Sequence, residues 1–147
     1  MPVTVKRITL WREDAPNRPG ALARVLEPLA RAGADLRVVM AYRYPEEKNR
    51  AAIELFPITG RRASRAAAEA GLQDSGIPTL LVEGDDRPAT GHAIARAIAD
   101  AGINLAFLVA QVIGGRYSAV IGFDSDADAK RAATLIRKAK PGTKKAR

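Results

Sequence analysis

The sequence predicts an α+β protein made of two ferredoxin-like βαββαβ units, each an antiparallel sheet covered by helices on one face. Three observations carry this. The first is internal repetition. Asn17-Arg18-Pro19-Gly20 opens a helical stretch that closes at Gly33-Ala34-Asp35-Leu36, and sixty-nine positions later Asp86-Arg87-Pro88-Ala89 opens another that closes at Gly102-Ile103-Asn104-Leu105. The offset holds without a gap, so that Val25 maps onto Ile94, Leu29 onto Ile98 and Gly33 onto Gly102. A fixed period of this kind marks two copies of one unit. The second is size: a chain of 147 residues gives copies of about 70, near the lower limit for a self-sufficient core. The third is the order of hydrophobic periods, which in each copy reads strand, helix, strand, strand, helix. The expected units are 1–77 and 78–138, with a basic, disordered tail over 139–147.

The elements follow in order. Lys6 to Arg12 alternates apolar and polar residues as a strand does, and Asp14 to Pro19 is a proline-containing loop. From Ala21 the spacing Leu22, Val25, Leu26, Leu29 is helical. Pro19 suits a first turn, where its missing amide costs nothing, and Asn17 and Asp86 fall where caps belong. Gly33 stops the helix, while Pro28 inside it predicts a kink or a shorter helix. Asp35 to Tyr44 and Ala51 to Ile58 read as a hairpin around a polar turn at Pro45 to Asn49. Ser64 to Gly71 is an alanine-rich helix, and Leu72 to Pro78 connects the copies. In the second copy Thr79 to Glu83 is a strand and Thr90 to Ala101 a helix. Asn104 to Ile113 and Arg116 to Phe123 are strands joined by Gly114-Gly115, a tight turn that needs positive φ. Asp124 to Lys138 is a helix capped by Ser125 or Asp126. No last strand follows it, which leaves an open sheet edge that favours pairing.

Composition excludes several classes. There is no cysteine, hence no disulfide, thiolate metal site or cysteine nucleophile. A lone histidine, His92, is no zinc site, and no metal or cofactor is expected. The apolar runs fall far short of the roughly 20 residues a membrane helix needs, and Met1-Pro2-Val3-Thr4 is not a secretory signal, so a cytoplasmic protein without membrane attachment is expected. Of the net charge of +8, residues 137–147 hold six positive charges and no acid, leaving +2 for the rest. The excess reads as a solvated tail and argues against nucleic acid. The seven aromatics, Trp11 and Tyr42 among them, do not form the spaced pair of an RNA-binding sheet. Glu46-Glu47 and Asp85-Asp86 lie in turns. Asp124, Asp126 and Asp128 alternate like calcium ligands but lack the glycine and final glutamate of that loop. Neither a Ser-His-Asp set nor a nucleophile elbow is present, so the protein is expected not to be an enzyme.

Asn-Arg-Pro-Gly-Ala-Leu-Ala-Arg-Val at 17–25 with Ala32-Gly33-Ala34-Asp35-Leu36 closely resembles the opening of an ACT domain, and so does Asp86-Arg87-Pro88 with Ala101-Gly102-Ile103-Asn104-Leu105. The resemblance covers about residues 6–138. Residues 17–25 also resemble the start of the acetolactate synthase regulatory subunit, but a second ACT copy stands where that protein's C-terminal domain would be. The second motif departs from the pattern, with Ala89-Thr90-Gly91 where the first has Gly20-Ala21-Leu22. The resemblance implies a stand-alone tandem regulatory protein whose helix-start loops bind a small amino acid at an interface between units. Apolar strand faces such as Leu105 to Val109 and the open edge point to a homodimer, with an amino-acid biosynthetic enzyme as a further candidate partner.

Helix starts independently favour anions, because their first amides are unpaired and the helix dipole is positive there, and Gly20 lets backbone approach a ligand. The candidate ligand residues are Asn17, Arg18, Gly20, Ala21, Leu22 and Asp35 in the first copy, and Asp86, Thr90, Gly91, His92 and Asn104 in the second. An asparagine both donates to a carboxylate and accepts from an ammonium, so Asn104 facing the first copy's loop would complete a composite site. Two rival readings remain: a ferredoxin-like nucleic-acid binder using the tail and Arg61, Arg62 and Arg65, and a regulatory partner acting on an enzyme in trans.

Overall fold

The structure, a computed structural model, describes residues 3–139. The expected tail falls outside these residues except for Ala139. Eight strands and four helices run β1 (Thr4–Ile8), β2 (Trp11–Pro16), α1 (Ala21–Arg31), β3 (Val38–Arg43), β4 (Arg50–Phe56), α2 (Gly60–Glu69), β5 (Gln73–Asp74), β6 (Thr79–Asp85), α3 (Thr90–Asp100), β7 (Leu105–Ile113), β8 (Arg116–Phe123) and α4 (Asp126–Lys138). They form two antiparallel four-stranded sheets, ordered β3-β4-β2-β5 and β1-β6-β8-β7, so the α+β, ferredoxin-like class expected from the sequence holds.

The first unit, Thr9–Gly76, is βαββαβ in chain order. Its sheet buries Ile53 and Leu55 of β4 and Ala15 of β2 against Val25 and Leu29 of α1 and Ala66 and Ala67 of α2. Alanines on α2 let that helix lie close to the sheet. A register slip of one residue would turn Ile53 and Leu55 away from the helices, and each is worth about 1.5–3 kcal/mol when buried. The two-residue β5 closes the edge, pairing Trp11 with Asp74 and Arg12 with Gln73.

The second unit has the same architecture, cut at a different point. Its sheet buries Leu80, Val82, Ala119, Ile121 and Phe123 against Ile94 and Ile98 of α3 and Ala129, Ala132, Ala133 and Ile136 of α4. Its last strand is β1. The N-terminal strand pairs antiparallel with β6, Val5 opposite Val82 and Ile8 opposite Thr79. Arg137 of α4 donates to the Val5 carbonyl at 3.0 Å, and Arg7 pairs with Asp126. This corrects the sequence reading in two ways. The strand expected over 6–12 is two strands that break at Thr9 and serve different sheets, and the final strand expected to be missing is supplied from the other end of the chain. The compact units are accordingly 9–76 and the residues flanking it, not 1–77 and 78–138.

Smaller differences have local causes. α1 runs through Pro28 to Arg31, and the amide of Ala32 still reaches the Pro28 carbonyl at 3.1 Å. α2 starts at Gly60 rather than Ser64, and β3 starts at Val38 rather than Asp35. Ser125 caps α4, accepting from the Asp128 amide at 3.1 Å. Gly114 and Gly115 take φ 56° and 77°, as a two-residue hairpin turn requires. Opposite Phe107, Gly122 is the residue that fits, since a Cβ there would run into the Phe107 ring. Among the described residues no helix is long and apolar enough to cross a membrane.

Candidate functional site

The two helix starts share one backbone geometry. Gly20 precedes α1 with φ 86° and ψ −6°, and Ala89 precedes α3 with φ 63° and ψ 16°; both are left-handed, and neither helix has a side-chain cap. Ala89 therefore holds, against its own preference, the conformation that Gly20 takes freely. The amides of Ala21 and Thr90 turn back to the Arg18 and Arg87 carbonyls at 3.2 Å, and those of Arg24 and Ala93 reach Gly20 and Ala89 at 2.9 Å. In α1 this leaves the amides of Leu22 and Ala23, and in α3 those of Gly91 and His92, pointing out of the helix end.

Asn17 is not the cap expected from its position. Its amide donates to the Asn49 carbonyl at 2.8 Å and its Nδ2 to the Lys48 carbonyl at 2.7 Å. Asn17 thus ties the helix-start loop to the β3–β4 turn and leaves its carboxamide oxygen as an acceptor. Asp86, the equivalent residue, is likewise no cap; its amide donates to the Gly115 carbonyl at 2.8 Å.

On the turn that Asn17 grips sits a cavity of about 510 Å³ lined by Asp14, Tyr44, Pro45, Glu46, Glu47 and Arg50. Its charged groups are held in a network. Tyr44 donates to Asp14 Oδ1, Arg12 Nη2 donates to Tyr44, and Arg12 Nε donates to Asp14 Oδ1 at 3.2 Å. Arg50 pairs with Asp14 at 3.7 Å and with Glu47 at 3.6 Å. The Arg12 and Arg50 guanidinium groups lie 5.6 and 5.9 Å from the centroid of the Tyr44 ring, within cation–π range. Behind them Glu54 is wholly buried; it pairs with Arg12 at 3.5 Å and accepts from Tyr42 at 3.2 Å.

The electrostatics follow from these contacts. The hydrogen bond from Tyr44, reinforced by Arg12 and Arg50 against some burial, holds the Asp14 carboxyl below its ordinary range. The same bond to Asp14 and burial raise the Tyr44 phenol. Burial pulls Arg12 down, but Tyr44 and the field of Glu54 outweigh it and keep the guanidinium firmly charged. The arrangement offers one cation, three carboxylates and an aromatic wall around a concavity of small-molecule size.

The second copy has a shorter turn at this place. Where the first has the turn from Tyr44 to Asn49, the second has only Gly114-Gly115. Arg116 there pairs with Asp85 at 2.8 Å and holds its carboxyl low. Thr90 is buried, and its hydroxyl donates to the Arg87 carbonyl at 2.8 Å. Gly91, His92 and Asn104 are exposed. Asp35 and Asn104 follow the C-terminal ends of α1 and α3, so each lies a helix length, about 16 Å, from the start loop of its own unit. In the first unit Asn17 holds the helix-start loop to the β3–β4 turn, and that turn lines the cavity together with Asp14, Tyr44, Glu47 and Arg50. Asp14, Tyr44 and Arg50 escaped the sequence reading, and Glu47 was read there only as a turn residue, because cross-strand pairing, not proximity in sequence, assembles them.

Two antiparallel βαββαβ units in one chain, each with a glycine-stopped first helix and a left-handed, uncapped start, define a tandem ferredoxin-like architecture. No family model matches the chain, and no curated protein matches it. Solved structures do. The ligand-free regulatory subunit of aspartate kinase from Thermus thermophilus superposes with a TM-score of 0.63 at 19% identity, over 95% of this chain and 98% of that one. Protein BT0572 from Bacteroides thetaiotaomicron gives 0.73 at 11% identity over 88% of each chain, and a structure of aspartokinase alpha and beta subunits gives 0.60 at 13% identity, over 94% of this chain and 96% of that one. Likeness at these identities shows a shared fold, two antiparallel βαββαβ units in one chain.

Proposed function

We propose that this chain is a non-enzymatic regulatory protein that senses a small amino acid at the pocket beside the α1 start. The cavity lined by Asp14, Tyr44, Glu47 and Arg50 and tied by Asn17 to the helix-start loop carries the reading. A zwitterion fits this chemistry at both ends. Its carboxylate meets the open amides of Leu22 and Ala23 or the Arg50 guanidinium, and Gly20 allows close approach. Its ammonium meets Glu47, Asp14 and the Asn17 carboxamide oxygen. The side chain of the ligand lies against Tyr44 and Pro45. In the second copy Asp86, Thr90, Gly91 and His92 lie at a helix start beside the two-residue Gly114-Gly115 turn, which offers none of the charged groups of the Tyr44–Asn49 turn, and Asn104 follows the far end of α3, so the first copy carries the response.

The solved structure of an aspartate kinase regulatory subunit with the same fold supports a regulatory role, with an amino-acid biosynthetic enzyme as the controlled partner. β7 is an edge strand with Leu108, Val109, Val112 and Ile113 exposed. Such an edge supports pairing with a second copy, which would extend the sheet across a homodimer.

Thermal unfolding against a panel of the common amino acids tests the reading. A ligand at 100 times its dissociation constant stabilises the fold by about 2.7 kcal/mol, a shift of about 5–10 °C at this size. One amino acid or a related few should produce it, and Arg50→Ala should abolish it. Silence across the panel at millimolar concentration would sink the proposal.

A further inference from the structure

The helical layer of the first unit carries a second concavity, whose chemistry is opposite in sign. The last turn of α1 and the first turns of α2 enclose a groove of about 450 Å³ lined by Arg31, Arg61, Arg62 and Arg65, with Glu69 the one acid among its described lining residues. A neighbouring cavity of about 610 Å³ shares Arg61 and Arg62 and extends to Asp35 and Arg37. Two of the arginines are already placed: Arg31 pairs with Glu27 at 2.6 Å, and Arg62 Nη2 donates to the Arg31 carbonyl at 3.4 Å. Arg61 and Arg65 have no acidic partner among the described residues, and both are exposed.

These arginines do nothing for the helix that bears them. Cations in a first turn oppose the helix dipole, and α2 has no acid there to balance them. Guanidinium groups converging from two helices suit one kind of ligand best, an oxyanion with several oxygens to share, and above all a phosphate. The shape narrows the class further. Concavities of several hundred Å³ hold small molecules, whereas a nucleic-acid backbone tracks along an extended surface. No aromatic side chain is among the described residues lining either cavity, so a single-stranded base has nothing to stack on.

We propose that this groove binds a small phosphorylated molecule, with Arg61, Arg62 and Arg65 gripping the phosphate oxygens and Arg31 closing the rim. The site is separate from the amino-acid pocket and stands or falls apart from it.

Isothermal titration of the full chain with pyrophosphate, at fixed ionic strength, tests the proposal. Arg61→Gln/Arg65→Gln is the variant, and both substitutions fall on exposed positions that leave the core intact. Pyrophosphate should bind the wild type, and the variant, which loses two guanidinium groups, should bind at least roughly tenfold more weakly, since the loss of even one charged hydrogen bond implies that much. Equal affinity in the two proteins would place the anion on the basic C-terminal residues and overturn the proposal. So would an absence of binding, or a DNA duplex that binds more tightly than pyrophosphate and in the same Arg61/Arg65-dependent way.

Discussion

Ala89 is the residue whose replacement tests the equivalence of the two copies most directly. It holds φ 63° at the start of α3, where Gly20 holds 86° at the start of α1. For a residue with a Cβ the left-handed conformation costs roughly 1–2 kcal/mol. Replacing alanine by glycine also loosens the unfolded chain, which costs the folded state about 0.4–1 kcal/mol. Ala89→Gly should therefore stabilise the protein by about 0.5–1 kcal/mol, the difference of these two effects. Gly20→Ala is the mirror experiment. A Cβ on Gly20 meets nothing within 4 Å, so no clash adds to the strain, and with the stiffer unfolded chain offsetting part of that strain the variant should lose about the same 0.5–1 kcal/mol. Urea unfolding followed by far-ultraviolet circular dichroism reads both changes as opposite shifts in midpoint at constant slope. In a thermal scan each should move Tm by about 1–4 °C. A neutral or destabilising Ala89→Gly would mean that Ala89 is not left-handed in solution, and the shared helix-start geometry would fall with it.

Two further outcomes follow from named contacts. Tyr44 is the largest cause of the lowered Asp14 carboxyl; a group depressed in the folded state stabilises above its unfolded value, about pH 4, and that contribution is lost as pH falls toward the folded value. Tyr44→Phe should flatten the fall in unfolding free energy below about pH 4, and parallel wild-type and variant curves would refute the Tyr44–Asp14 link. Removing residues 1–8 should strip β6 of one of its two partner strands and make it an edge. Hydrogen exchange should then speed up at β6 while β2 and β4 keep their protection, and an unchanged β6 would contradict the assignment of β1 to its sheet.

Much of the fold was legible because it is written locally. The glycine stops at Gly33 and Gly102, the Gly114-Gly115 turn and the Ser125 cap each announce themselves within a few residues. The place of β1 does not. Ile8 and Leu10 keep a single alternation through 6–12, and no glycine or proline marks the break at Thr9, so the periodicity shows a strand without showing which sheet takes it. Pairing partners are a property of the whole fold. The same limit hid the pocket, since Arg12 and Asp14 meet Tyr44 only after β2 and β3 have both paired with β4. One signal was available: Glu54 interrupts the apolar run from Ala51 to Phe56, and a charge at such a place calls for a partner nearby. The helix-start loop was found from its motif, but the role of Asn17 as a strut to the β3–β4 turn depends on a turn thirty residues away.

The strand order sets a timetable for synthesis. Thr4 bonds to the Glu83 carbonyl across a separation of 79 residues, so β1 leaves the ribosome long before the strand it pairs with exists. In between, the whole of Thr9–Gly76 is made and has every strand it needs. At roughly 5–20 residues per second, β1 waits for seconds as a lone strand tethered to a finished neighbour. The second unit closes only after α4 has emerged. A β1 that waits is also a β1 that can be lent: two chains growing side by side can exchange it at little cost, which makes this strand the natural hinge of a domain swap.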